Sequence, residues 1–168
     1  MQLPAIDLGL MAQHLAAHEG VIFKLKIYHQ NVQNEALKKI LRIHIETLKS
    51  HVAAMLLLID PNRVQKVHLP DLKANIDEAI GNLLPWEKNI ALESRSTAKL
   101  MGTDNFNSAA MMKNDNVKSI HTKMSNQDIQ LQRMYNKVIA AANADYVPMA
   151  SLEEQWMTLQ KYQHVINE

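Results

Sequence analysis

Histidine is the side chain in this sequence best suited to chemistry, and several histidines fall at helical spacing. His14 and His18 lie one helical turn apart near the start of the chain, and three more histidines, His44, His51 and His121, occupy later segments with the same periodicity. Imidazole nitrogens bind zinc, iron, nickel and copper, and three of them plus a water make an open metal site. The candidate metal ligands are four of these histidines and one neighbouring carboxylate: His14, His18, Glu19, His51 and His121.

The same histidines also fit an interpretation without a metal. Each lies on or beside an apolar stripe, so helix packing turns it inward. Buried imidazoles can hydrogen-bond to one another, to Thr47 or to an internal water, and such polar layers fix helix register at some cost in stability. We favour this polar layer. It predicts acid sensitivity, because burial lowers the pKa of histidine.

A ferritin-type di-iron site is disfavoured by the sequence. Such a site needs a Glu from each of two helices and Glu-x-x-His from each of the other two. No Glu-x-x-His occurs: Ile22 lies three residues after Glu19, and Lys49 three residues after Glu46. The position 80 residues after Glu19 is Lys99, an ammonium where a ligand is needed. Motifs for a nucleophilic serine or a phosphate loop are also missing, so we assign no catalytic residue and no cofactor, with zinc or iron as the candidate ions for the histidines.

Long helices must position these side chains. Three apolar seams with alternating steps of three and four predict helices at about residues 5–31, 35–59 and 115–142. The break between the first two is about three residues, which makes them antiparallel neighbours. The seams consist of Leu8, Met11, Leu15, His18, Ile22, Leu25 and His29; of Leu37, Leu41, His44, Leu48, His51, Met55 and Leu58; and of Val117, His121, Met124, Asp128, Leu131, Tyr135 and Val138.

The other segments are less regular. A helix is predicted from Trp86 or Asn89 to about Met112, with a kink or split at residues 102–105, where Gly and Asp/Asn weaken a helix. Residues 61–85 contain three prolines and form a long connection, with a short helix near residues 72–83.

The expected fold is all-α. It is a ferritin-like four-helix bundle in one domain of 168 residues. Two antiparallel hairpins, at about 5–60 and 86–142, are joined by a crossover at about 61–85, and a short amphipathic helix at about 151–166 closes the chain. A weak internal repeat supports the two hairpins, since residues 33–40 resemble residues 113–120 at an offset of 80.

Composition limits the partners. The chain has 18 basic and 17 acidic side chains, so its net charge of +1 gives no attraction to nucleic acid or anionic lipid. The longest apolar run, residues 52–59, is far shorter than the roughly 20 residues that span a bilayer. The N-terminus lacks the basic start of a signal peptide. We therefore expect a cytoplasmic protein without a nucleic-acid or membrane partner.

Three stretches resemble the spore coat protein F family. Residues 17–21, Ala-His-Glu-Gly-Val, are similar to its His-Glu-hydrophobic motif, and residues 114–118, Asn-Asp-Asn-Val-Lys, to its Asn-Pro-Glu-Leu-Arg helix start. Residues 144–148 and 152–155 resemble its Gly-Tyr-Tyr-Pro and Glu-Glu-Gln ending. The family's second His-Glu would fall on Leu131-Gln132, which departs from the pattern. The resemblance implies a ferritin-like bundle associated with spore coats or the sporulating cell, and it carries no reaction to particular residues.

The sequence thus favours a non-enzymatic structural or assembly protein of the spore-coat type. Its expected partners are other coat-type proteins or its own copies, so we expect a homo-oligomer, held through a flank of the bundle or the C-terminal helix. The alternative is a ferritin-like metal-binding or oxidoreductase protein that uses the histidine cluster. A third reading, a partner-binding adaptor with a methionine-rich groove, rests on ten methionines.

Overall fold

The structure is a computed structural model that describes residues 2–72 and 79–167. In that part of the chain every regular element is a helix, which confirms the all-α class. The four long helices are α1 (Ala5–Asn31), α2 (Glu35–Ile59), α3 (Pro85–Met111) and α4 (Asp115–Ala141). A shorter helix, α5 (Leu152–Tyr162), continues into a 3-10 turn at Gln163–Asn167.

Polar side chains define where the helices begin. The Asn34 side chain accepts a hydrogen bond from the backbone N–H of Leu37 at 3.0 Å, which caps α2 as its sequence predicts. Asn114 caps α4 in the same way by accepting from the N–H groups of residues 116 and 117. Ser151 and Glu154 form a reciprocal capping box at the start of α5.

Each turn between helices is capped by an acid from the other half of the chain. Both carboxylate oxygens of Asp7, in the first turn of α1, accept from the backbone N–H groups of residues 113–114, at 2.9 and 2.8 Å. Glu87, in the first turn of α3, accepts from those of residues 33–34, at 2.7 and 2.8 Å. The two acids, Asp7 and Glu87, are 80 residues apart, and so are the two donor pairs, residues 33–34 and 113–114. The bounds of α1 and α3 differ by the same 80 residues. The offset of the sequence repeat is therefore also an offset of structure.

The long helices pack as antiparallel neighbours. Contacts join α1 to α2, α3 to α4, α2 to α4 and α1 to α3. Hydrogen bonds between elements follow this arrangement: His51 of α2 meets Gln127 of α4, and His44, earlier in α2, meets Tyr135, later in α4. Each hairpin therefore has a helix beside a helix of the other hairpin.

The connection between α2 and α3 runs along α4. The backbone of Val67 exchanges two hydrogen bonds of 2.9 Å with the Asn116 side chain, and the Pro70 carbonyl accepts from Gln127 at 2.7 Å. The short helix predicted near residues 72–83 is not seen at residues 79–83, and residues 73–78 lie outside the described part of the chain.

The predicted kink in α3 is wrong, because the helix is continuous from Pro85 to Met111. A Cβ added at Gly102 would lie 3.2 Å from the Asp128 Cβ and 3.4 Å from the Ser125 carbonyl oxygen. The glycine therefore lets α3 and α4 approach closely, and the loss of helix propensity is offset by that packing. Asn105 does not compete for backbone bonds, since its side chain points into the interior toward Asp128.

The interior consists of two apolar clusters. One contains Leu25, Leu41 and Leu131, and the other contains Met11, Met55 and Met124. Every predicted seam residue of α2 and α4 is buried. In α1 only three members of the predicted seam are buried, namely Met11, His18 and Leu25. Leu15, Ile22 and His29 are only partly buried. Leu8 is 46% exposed, because Asp7 takes the inward position to cap the far turn.

Candidate functional site

A polar layer lies among the four long helices, where the seam residues of α2 and α4 turn from apolar to polar. All its side chains are less than a tenth exposed, and each helix contributes. Its members are His14 and His18 of α1; His51 of α2; Asn105 and Ser108 of α3; and His121, Ser125, Gln127 and Asp128 of α4.

His18 and His51 form one pair of imidazoles in this layer. The Nε2 atom of His18 lies 3.5 Å from the Nδ1 atom of His51, and the rings meet edge to face with centroids 5.6 Å apart. The other nitrogen of each ring is also engaged: His18 Nδ1 lies 2.7 Å from the His14 carbonyl oxygen, and His51 Nε2 lies 2.8 Å from Gln127 Oε1. Both rings are fully buried.

His14 and His121 form a second pair, with ring centroids 4.9 Å apart. His14 Nε2 is hydrogen-bonded to Ser108 Oγ at 2.8 Å. A tight turn between α1 and α2 would place His14 opposite His51, but His18 takes that place, one helical turn further along α1. Val32 and Asn34 are extended, so the turn between α1 and α2 sets a longer offset than a tight hairpin would.

A chain of hydrogen bonds links His121 to an acid. His121 Nδ1 lies 3.0 Å from Asn105 Oδ1, and Asn105 Nδ2 donates to Asp128 Oδ2 at 2.9 Å. The two ends of the chain, His121 Nε2 and Asp128 Oδ1, are buried without a hydrogen-bond partner. Unpaired buried polar atoms are costly, so this layer is a place where a small ligand, ion or water gains contacts.

His44 lies outside this group on α2. Its Nδ1 atom is 3.0 Å from the hydroxyl oxygen of Tyr135, and its Nε2 atom has no partner. His44 is therefore a buried histidine of α2 that makes one hydrogen bond to α4, as His51 does, without another imidazole opposite it.

Burial keeps the histidines neutral. It lowers the pKa of His18 to about 4 and of His44, His51 and His121 to about 3, with the charges of neighbouring histidines acting in the same direction. The pKa of His14 is also lowered by burial, although the carboxylate of Asp104 opposes the shift. These rings are therefore uncharged at neutral pH.

Burial acts on the acid in the opposite direction. It raises the pKa of Asp128 to about 8, and the hydrogen bond from Asn105 only partly offsets that rise. Asp128 is therefore largely a neutral carboxylic acid at pH 7, and the polar layer carries little charge.

Four of the five sequence candidates come together, and one does not. His14, His18, His51 and His121 meet in the polar layer, whereas Glu19 is exposed. Across residues 2–72 and 79–167, no set of three or more His, Asp or Glu side chains is arranged to hold a metal ion. The sequence did not identify Asn105, Ser108 or Gln127; all three are polar residues at inward helical positions.

One surface depression leads to the polar layer. A cavity of about 420 Å³ is lined by His14 and Ser108 together with Gln13, Ala17, Asp104 and Asn107. His14 is 8% exposed, so its ring forms part of the boundary between this cavity and the buried imidazoles.

The C-terminal arm, defined as residues 145–166, is the second candidate site. None of its side chains is buried. Its apolar residues recur along α5 and the following turn in steps of three and four, which places them along one stripe. The exposed apolar side chains of the arm are Tyr146, Val147, Met149, Leu152, Trp156, Met157, Leu159, Tyr162, Val165 and Ile166.

A cavity of about 620 Å³ between α3 and α4 lies at the root of the arm. Arg95, Lys99 and Ile139 line it together with Asp145 and Val147 of the arm. Arg95 forms an ion pair with Asp145, which ties the root of the arm to α3.

Comparisons with protein-family models, with curated proteins and with solved structures found no match to this chain. In the described residues, no helix combines the length and hydrophobicity that a bilayer crossing requires.

Proposed function

We propose that this protein is a non-enzymatic structural protein that assembles with copies of itself, built on a ferritin-like four-helix bundle. The observation that carries this proposal is the C-terminal arm, whose ten large apolar side chains are all exposed. Apolar surface of this extent on a soluble chain marks an interaction site. An amphipathic helix that exposes its apolar stripe gains stability by laying it into a groove.

Charge supports a second copy as the occupant of that groove. The arm carries three acidic side chains and one basic, a net charge of −2, whereas residues 1–144 carry 17 basic and 13 acidic, a net charge of +4. Two arms therefore repel each other, and an arm is attracted to a bundle. The cavity between α3 and α4, with Lys99 exposed beside Ile139, offers cationic and apolar contacts in one place.

An arm-to-bundle contact is heterologous, since it joins two different surfaces. Repetition of such a contact makes rings when the rotation closes and open fibres when it does not. That property suits a protein of a layered assembly. The resemblance of three stretches to the spore coat protein F family supports a coat as the setting, with other coat-type proteins as further partners.

The test is the mass of the full-length protein in solution, measured by light scattering over a range of concentrations. We expect an oligomer in the parent protein and a monomer in the Trp156→Glu, Leu159→Glu double variant. Val64→Glu is the matched control, because Val64 is 94% exposed and lies on the crossover, away from the arm. A parent protein that stays monomeric, or a double variant that keeps the parent mass, contradicts the proposal.

A further inference from the structure

The proton positions of His18 and His51 follow from their fixed neighbours. His18 Nδ1 lies 2.7 Å from a backbone carbonyl oxygen, which only accepts, so Nδ1 carries the proton. A neutral imidazole has one N–H, and His18 Nε2 is therefore a bare nitrogen with its lone pair outward.

The same reasoning fixes His51 through Gln127. The Pro70 carbonyl accepts from Gln127 Nε2 at 2.7 Å, which orients the amide so that its oxygen faces His51. His51 Nε2 must donate to that oxygen, and His51 Nδ1 is left bare. The two bare nitrogens, His18 Nε2 and His51 Nδ1, then face each other at 3.5 Å.

Two lone pairs at this distance repel, and a proton between them is disfavoured. The charge of an imidazolium would lie among fully buried rings, where an unpaired charge is costly. An electron-pair acceptor that satisfies both nitrogens at once relieves the repulsion.

We propose that His18 Nε2 and His51 Nδ1 are two preset ligands of a divalent transition-metal ion of the zinc class. In a tetrahedral zinc site each Zn–N bond is about 2.0–2.1 Å, which places two ligand nitrogens about 3.4 Å apart. The observed separation is 3.5 Å. Each ring also donates its other N–H to an oxygen, the outer hydrogen bond that orients metal-bound histidines.

His121 supplies the third ligand. Its Nδ1 faces Asn105 Oδ1, because the Asn105 amide nitrogen donates to Asp128, so Nδ1 is protonated and Nε2 is bare. Nε2 is buried without a partner, and the ring lies beside His14, with centroids 4.9 Å apart. The described side chains do not yet converge as a set of three, so binding includes a movement of this ring.

An entry route exists beside the site. The cavity of about 420 Å³ has Asp104 in its lining and His14 at its inner boundary. The His14 ring centroid is 4.9 Å from that of His121 and 6.3 Å from that of His18. A cation attracted by Asp104 therefore meets His14 before it reaches the buried nitrogens.

The test is titration of the full-length protein, stripped of metal with a chelator, with Zn²⁺ by calorimetry and with Co²⁺ by visible absorption. We expect one ion per chain with a Kd below about 10 μM. His51→Gln weakens binding at least about tenfold, and His44→Gln is the matched control and leaves it unchanged. No binding below that Kd, retention in His51→Gln, or equal loss in both variants overturns the site.

A second measurement needs no variant. Nitrogen chemical shifts of the imidazoles in the parent protein report which atoms carry protons and which bind zinc. We expect bare His18 Nε2 and His51 Nδ1 before zinc and shifts at both atoms after it. Shifts confined to the exposed His68 and His164 show surface binding only and overturn the site.

Discussion

At the scale of single residues, the interior combines bases whose pKa is lowered with an acid whose pKa is raised. A histidine with a lowered folded-state pKa leaves stability intact above about pH 6.5, and stability falls as the pH drops below that value, since only the unfolded chain takes up the proton. Asp128 acts in the opposite sense: with its pKa raised to about 8, stability falls as the pH rises from about 4 to 8. The buried histidines outnumber the acid, so their effect dominates below about pH 6.5 and that of Asp128 remains above it. The free energy of unfolding therefore passes through a maximum as the pH rises.

The first prediction is a stability maximum near pH 6.5. Each neutral buried histidine costs about 1.4 kcal/mol of stability per pH unit below that value until its folded-state pKa is reached. The free energy of unfolding, measured by urea denaturation, should be lower at pH 5 and at pH 8 than at pH 6.5. A flat profile from pH 5 to 6.5 would show that the rings are not buried.

The second prediction isolates the acid. Asp128→Asn keeps an oxygen for the Asn105 N–H and removes the ionisable proton. The free energy of unfolding of the variant minus that of the parent protein should increase by about 1.4 kcal/mol for each unit that the pH rises between pH 4 and 8. Urea denaturation at pH 5 and pH 7.5 measures the difference, and an advantage independent of pH would mean that Asp128 has an ordinary pKa.

At the scale of elements, the close approach of α3 to α4 depends on Gly102, which has no side chain. A Cβ at Gly102 meets the Asp128 Cβ at 3.2 Å, whereas a Cβ at Gly20, in α1, meets nothing within 4 Å. Replacing glycine by alanine is therefore expected to change the stability of the fold in opposite directions at these two positions, although the two helices are equal in length.

The third prediction uses this pair. Gly102→Ala should destabilise the fold by about 1–3 kcal/mol, because the added carbon overpacks the contact between the helices. Gly20→Ala should stabilise it by about 0.5–1 kcal/mol through helix propensity alone. Thermal or urea denaturation of both variants gives the signs, and two stabilised variants would disprove the close approach.

The predictability of the elements from the sequence depended on what each helix buries. The buried faces of α2 and α4 are apolar at most inward positions, so their spacing identified these faces. Helix α3 buries small and polar residues, among them Ser94, Thr97 and Asn105, and its inner face has no hydrophobic signature. For that reason its continuity and its role in the polar network were not foreseen.

The candidate site was also predictable from the sequence only in part. Four histidines were correctly expected to turn inward, since helical spacing decides which face a residue occupies. Their pairing was not predictable, because the turn with extended Val32 and Asn34 shifts the register of α1 against α2 by a full turn. The orientation of Gln127 depends on the Pro70 carbonyl in the crossover, a contact with no local signal in the sequence.

At the scale of the whole molecule, the arm carries a net charge of −2 and residues 1–144 carry a net charge of +4. In the proposed association one copy supplies the arm and its neighbour supplies the groove. A substitution in the arm therefore damages one side of the contact, and a substitution in the groove damages the other. An arm variant and a groove variant that are each monomeric should then associate when mixed, because each has the surface that the other lacks.

The fourth prediction follows from that asymmetry. Trp156→Glu should disable the arm, and Lys99→Glu should disable the groove, while Lys66→Glu on the crossover makes the same charge change as a control. Each of the first two alone should be monomeric, and their mixture should form dimers and no larger species by light scattering. A mixture that stays monomeric would exclude an arm-to-groove contact.

The reciprocal capping of the two turns sets an order of events during synthesis. Asp7 leaves the ribosome early and has nothing to bind until residues 113–114 follow it, whereas the first turn keeps its bare N–H groups until Glu87 emerges. Neither half of the nascent chain can complete its own bend, so the native state must wait for the later part of translation. A ribosome paused in the crossover should therefore hold a first hairpin that proteases cleave readily.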